Sequence, residues 1–241
     1  MKFIAKHYKF IIFLLVIFLI FVIFQTNNKD NQNYLSLGDG LSLGIDSYGR
    51  LDYGYSDYLK DYLKENNALN TYIKSFSSKD ATINSLYENI VTNKKITLNN
   101  KEYNLKRTLR ESTILTITIG LNDLTYKLSL EDNITEPKIN QIIAEIKTDY
   151  DRLITEIKKY YQYEIYVIGY YDNQNKDYKD AISKLNNIFR NDPNVTYIDT
   201  YQLFKNKKEY LSNDHSYYPN CSGYKAISHQ VEIKISKKLE K

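Results

Sequence analysis

Four short blocks carry the side chains that could do chemistry. Gly38-Asp39-Gly40-Leu41-Ser42 follows a strand-like run, and Gly120-Leu121-Asn122-Asp123 follows another. Near the end come Asp214-His215 and then Tyr218-Pro219-Asn220 with Gly223-Tyr224. Ser42 and His215 are the residue types of a hydroxyl nucleophile and its general base, the pair used in acyl transfer. Asp214 is poorly placed to orient His215, because neighbours in a chain do not usually face each other. Asp39 has the place of a turn residue that hydrogen-bonds its own loop. Asn122 is positioned to cap a helix or touch a ligand, and Asp123 to start a helix. Cys221 is a lone loop thiol. It allows neither an internal disulfide nor a multi-cysteine metal site, and His7, His215 and His229 lack metal-ligand spacing.

Strand and helix signals alternate around these blocks, as in an α/β domain with a mainly parallel sheet. Strands are expected over 34–37, 71–76, 114–119, 165–169 and 195–198. The third is uncharged, β-branched and closed by Gly120. Helices are expected from Ser56 and over 82–91, 137–161, 180–189 and 224–239. The long one carries the apolar stripe Ile139, Ile142, Ile146, Tyr150, Leu153 and Ile157, with Pro137 in its first turn. Residues 93–110 read either as a small hairpin about Asn99-Asn100 or as a surface excursion. Five strand–helix repeats imply a flavodoxin-like doubly wound, five-stranded sheet, which binds ligands at the carboxyl ends of its strands.

Ahead of this domain, residues 10–24 read FIIFLLVIFLIFVIF, apolar on every face. At about 1.5 Å per residue the run is slightly short for a bilayer core, and Tyr8 and a snorkelling Lys9 extend it. The small residues of a cleavage site do not follow, and no cysteine stands there for lipidation. The expectation is a basic cytoplasmic segment (1–9), an uncleaved transmembrane signal-anchor (10–24), a polar linker (25–33) and an extracytoplasmic domain (34–241). The whole chain has 33 basic and 29 acidic residues; without Lys2, Lys6, Lys9, Lys29 and Asp30 the balance is 29 to 28. That near-neutral domain gives no ground for nucleic-acid binding. Abundant Tyr, Asn, Lys and Ile, with no Trp, suggest an AT-rich bacterial genome.

The order and spacing of the blocks resemble the SGNH, or GDSL, hydrolases, ester-cleaving lipases and acylhydrolases. Gly38-Asp39-Gly40-Leu41 resembles their Gly-Asp-Ser-Leu opening. Gly120-Leu121-Asn122-Asp123 is similar to their Gly-x-Asn-Asp block, and Tyr218-Pro219-Asn220…Gly223-Tyr224 to their Asp-x-x-His-Pro-Asn…Gly-Tyr ending. The resemblance implies a serine nucleophile, a histidine base oriented by an aspartate three residues earlier, and an oxyanion held by an Asn amide and backbone N–H groups. Here the serine position is Gly40, which has no side chain to attack with. The histidine position is Tyr218 and the aspartate position His215. The family also has a block between these with an oxyanion-binding glycine; matching Ala81-Thr82 to its small-Thr pair puts that glycine at Asp80, and only the Asn, at Asn122, is retained.

The resemblance therefore implies a catalytically degenerate domain needing no cofactor. Its former cleft would bind an acylated or acetylated glycan or a small ester of the cell envelope. The expected binding residues are Asp39, Gly40, Asp80, Gly120, Asn122, His215 and Tyr218, with tyrosines near the strand ends available for stacking. Two other readings stand beside it: an active esterase with Ser42 and His215 as relocated catalytic residues, and a protein-interaction platform in which the cleft has no role.

Overall fold

The computed structural model describes residues 31–172, 176–212 and 218–239, together with Ile12 and residues 16–18. The basic segment, most of the expected anchor, the linker up to residue 30 and His215 lie outside the described residues. Among the described residues no helix is long and apolar enough to cross a membrane.

Five parallel strands form the central sheet: β1 (Gln32–Gly38), β2 (Leu69–Ile73), β5 (Ile114–Thr118), β6 (Ile165–Ile168) and β7 (Val195–Ile198), in the order β2-β1-β5-β6-β7. This is the flavodoxin-like order, with the direction of winding reversing between β1 and β5. Every residue of β5 and of β6 is buried, so these central strands read as unbroken apolar or β-branched runs. The register pairs Leu35 with Leu115 and Ile117 with Val167. Edge strand β2 begins two residues before the expected Thr71 and ends at Ile73. The chain then turns, with Ser77 N–H donating to Lys74 O, while Lys74 Nζ reaches the buried Asp57 carboxylate at 2.6 Å.

Helices cover the sheet in two groups. α2 (Tyr55–Glu65) packs against the last helix, α9 (Cys221–Leu239). The other group is α3 (Ile83–Val91), α5 (Leu121–Ser129), α6 (Glu136–Lys158) and α7 (Lys176–Arg190). The stripe from Ile139 to Ile157 on α6 is buried, consistent with its helical spacing. Residues 95–104 do form a hairpin, β3 (Lys95–Leu98) with β4 (Lys101–Asn104). Asn99 and Asn100 both have positive φ, 50° and 62°, as a two-residue type I′ turn requires. Three short helices were not expected from the sequence: α1 (Gly40–Leu43), α4 (Leu105–Glu111) and α8 (Thr200–Phe204). Asn104 and Asp199 cap the last two by accepting from Arg107 N–H and Gln202 N–H.

Candidate functional site

The glycine block leaves β1 at the carboxyl end of the sheet. Gly38 has φ +126°, and a Cβ there would collide with the backbone of Thr118, so only glycine lets β1 pass β5 at this point. Asp39 caps α1 by accepting from Leu41 N–H at 3.0 Å. It also accepts from Thr118 Oγ1 at 2.6 Å and from the Tyr170 hydroxyl. Burial pushes the Asp39 carboxyl up to about 6, with the Thr118, Tyr170 and Leu41 hydrogen bonds acting against that rise.

Gly40 has ordinary helical backbone, but a side chain there would have to displace the end of the Tyr218 ring. A Cβ at this position would stand 2.8 Å from Cε1 and Cζ of Tyr218 and nearer still to its hydroxyl. The Tyr218 ring thus fills the space into which residue 40 would project. Burial, with the nearby Asp39 and Asp80 carboxylates, pushes its phenol up to about 12, so the ring is a neutral hydroxyl at physiological pH. Tyr218 is set by the chain beside it. Pro219 bridges Leu211, and Asn220 N–H donates to Tyr210 O at 2.9 Å. The Asn220 side chain accepts from Gly223 N–H at 3.1 Å, at the start of α9.

A cleft of about 330 Å³ opens beside this pair. Its apolar wall is Leu41, Leu121 and Ile182, with the three tyrosines Tyr170, Tyr171 and Tyr218. Asp39, Lys79, Asp80, Asn122 and Thr125 supply the polar groups. Among the described residues lining it there is no serine, cysteine or histidine. The one aliphatic hydroxyl, on Thr125, donates to Leu121 O within its own helix at 2.9 Å. Tyr170 and Tyr171 follow β6 and Gly169, again at the carboxyl end of a strand. The buried Asn186 side chain grips the Tyr170 backbone on both sides, accepting from its N–H at 2.8 Å and donating to its carbonyl at 2.6 Å. Tyr171 stacks on Phe204 with ring centres 4.1 Å apart.

Of the residues expected at the site, Asp39, Asp80, Asn122 and Tyr218 line the cleft, and Gly40 lies beneath Tyr218. Asn122 does not cap α5, whose cap position is Gly120. Both hydrogens of its amide go to backbone carbonyls of the facing loop, Lys79 O at 3.0 Å and Ala81 O at 2.9 Å. Gly120 has φ +109° and turns towards Leu185, Phe189 and Ile83, away from the cleft. Asp123 accepts from Ile83 N–H at 3.0 Å and so ties α5 to the start of α3. Ser42 is fully buried on the core side. Its hydroxyl donates to Leu37 O at 2.6 Å and lies 3.2 Å from the Tyr55 hydroxyl, out of reach of a substrate in the cleft. Tyr170, Tyr171 and Lys79 were not anticipated. The available signal was the Tyr-Tyr pair directly after a strand ending in glycine.

Comparison with known families follows this geometry. The model of the GDSL-like lipase/acylhydrolase family matches residues 34–231. The chain belongs to that family. No curated protein sequence matches the chain. Solved structures of similar fold include the lipase Lip_vut3 from a goat rumen metagenome (22% identity, TM-score 0.66, 83% of this chain and 95% of that one). A lipase/acylhydrolase from Enterococcus faecalis is also similar (17%, 0.61, 86% and 96%). So is Axe2, an acetylxylan esterase from Geobacillus stearothermophilus (16%, 0.57, 86% and 94%). At these identities the likeness is one of fold. The first block of this chain has glycine at residue 40, with the Tyr218 ring above it.

Proposed function

We propose that this GDSL-family domain has lost ester hydrolysis and serves as a binding domain, holding an acylated or acetylated glycan, or a small ester, in the former active-site cleft. The observation that carries the reading is the Gly40–Tyr218 contact. The nucleophile position has no side chain, and the space for one is filled by a phenol that stays protonated. Loss of the serine, histidine and aspartate as a unit removes most of the catalysis such a site provides. The Asn122 amide, the family's oxyanion donor, is committed to the carbonyls of Lys79 and Ala81. The cleft remains open, with aromatic faces on one side and polar groups on the other, a composition suited to a sugar ring bearing an acyl group. The buried Ser42 hydroxyl weighs against a relocated Ser42–His215 esterase. The apolar run 10–24 preceded by lysines supports tethering to the outer face of a cytoplasmic membrane.

Hydrolysis of short-chain p-nitrophenyl esters tests the reading, with the natural protein beside the Gly40→Ser/His215→Asp/Tyr218→His variant. A silent natural protein and an active variant are the expected pair. Turnover by the natural protein that disappears on Ser42→Ala would refute the loss of catalysis.

A further inference from the structure

The loop between α1 and α2 presents an exposed aromatic ring in a rigid frame. Asp46 is its centre. One carboxylate oxygen accepts from Tyr48 N–H at 2.9 Å and Arg50 N–H at 2.8 Å. The other accepts from Arg50 Nε at 2.9 Å and Nη2 at 2.7 Å. Asp46 N–H donates to Arg50 O at 2.8 Å, and Gly49, at φ +77°, closes the turn by donating to Asp46 O at 2.9 Å. The base of the loop is fixed by the Ile45–Leu51 bridge and by the Tyr224 hydroxyl, which donates to Ile45 O at 2.7 Å. The Arg50 guanidinium lies 4.9 Å from the centre of the Tyr48 ring. With all of this support, Tyr48 is still 80% exposed and Leu51 66%. Burial of the ring cannot be what the frame is for.

The platform abuts the cleft. Lys79 Nζ lies 3.1 Å from where a Gly49 Cβ would stand. Lys79 also lines the cleft, and its carbonyl is held by Asn122. Charges around the platform balance, with Asp46 and Asp52 against Arg50 and Lys79. The Arg50 guanidinium covers one face of the Tyr48 ring, and a pre-ordered ring with its other face free of that contact suits the C–H face of an uncharged pyranose.

We infer that Tyr48 and Arg50 form a second sugar subsite, which takes a pyranose beyond the disaccharide held at the cleft, so that the domain recognises a neutral glycan chain rather than a disaccharide. The inference rests on the glycan reading of the cleft. Ligands that reach both places gain the second contact without a second association cost.

Calorimetric titration of the full chain in detergent with chitobiose and chitopentaose tests it. The proteins compared are the natural chain, Tyr48→Ala, and Thr125→Trp, which fills the cleft. The thermal midpoint of each verifies folding. The pentamer should bind the natural protein about two- to tenfold more tightly than the dimer, the gain expected from one aromatic contact. Tyr48→Ala should abolish that gain and leave dimer affinity unchanged, and Thr125→Trp should weaken both. Unchanged pentamer binding by Tyr48→Ala overturns the second subsite and leaves the cleft reading intact. No binding of either sugar by the natural protein overturns the glycan reading and the subsite with it. Loss of dimer binding in Tyr48→Ala alone would place the first sugar on the platform and overturn the cleft reading.

Discussion

Placing a methyl group on Gly40 should destabilise the protein, and the penalty should depend on Tyr218. The backbone at Gly40 is helical, without the positive φ of Gly38, Gly44, Gly49 and Gly120, so alanine meets no conformational barrier there. The conflict is with one side chain. A Cβ would stand 2.8 Å from two ring carbons of Tyr218, well inside ordinary van der Waals contact. Overpacking of this kind costs about 1–3 kcal/mol, which for a domain of this size lowers the thermal midpoint by roughly 2–12 °C. Tyr218→Ala removes the obstacle, so Gly40→Ala in that background should cost less than about 0.5 kcal/mol, the level of a change without steric conflict. Tyr218→Phe removes the hydroxyl and keeps both ring carbons, so it should relieve only part of the penalty. Thermal or urea unfolding of the four corners of the cycle gives the coupling, expected at about 1–3 kcal/mol and stabilising for the Gly40–Tyr218 combination. If Gly40→Ala costs the same with and without the Tyr218 ring, the ring does not occupy the nucleophile space. A side chain at residue 40 would then have space beside Tyr218, and sterics would give no reason for lost catalysis.

Three further outcomes follow from the same contacts. The Asp39 carboxyl is held at about 6, above its unfolded value, chiefly by burial. The native state therefore binds the extra proton, and stability should fall as pH rises from about 4 to about 6, by about 2–3 kcal/mol. Asp39→Asn should flatten that interval in urea unfolding measured across pH. Lys74→Met should cost about 3–5 kcal/mol in the same assay, because it strands the buried Asp57 carboxylate; adding Asp57→Asn should recover part of the loss. Asn122→Ala frees the carbonyls of Lys79 and Ala81. It should speed amide hydrogen exchange in residues 79–82 and cost about 1–2 kcal/mol.

What could be read from the sequence follows from where each residue sits. Strands buried on both faces announce themselves, as Ile114 to Thr118 does. The Asn99-Asn100 hairpin was visible because two consecutive asparagines suit a turn with positive φ at both central residues. Short helices α4 and α8 gave no periodic stripe; their only signals were the single capping residues Asn104 and Asp199. β2 lies at the sheet edge, half-exposed, and its weak alternation left its start two residues and its end three residues out. The cleft was partly legible through its blocks, but the direction of each side chain was not. Ser42 is only two positions from Gly40, and that rotation of about 200° along the helix points it into the core. Tyr170 and Tyr171 come from a distant strand end, and only the sheet order brings them beside Asp39.

The Gly38-Asp39-Gly40 block and the Gly120-Leu121-Asn122-Asp123 block carry residues whose work in this fold is structural. Asp39 ties α1 to β5 and to Tyr170 through three hydrogen bonds. Gly38 lets β1 pass the Thr118 backbone, Asn122 holds the 79–81 loop, and Asp123 fixes the start of α3. Each is a structural tie at the carboxyl edge of the sheet, and removing any of them leaves a buried polar group unpaired or a backbone clash. Residue 40 is the exception. As glycine it makes no side-chain tie, and the Tyr218 ring occupies the space beside it. Structural ties alone can therefore hold such a block in place. The change of chemistry proposed above therefore turns on the residue without a structural tie, Gly40, with Tyr218 above it.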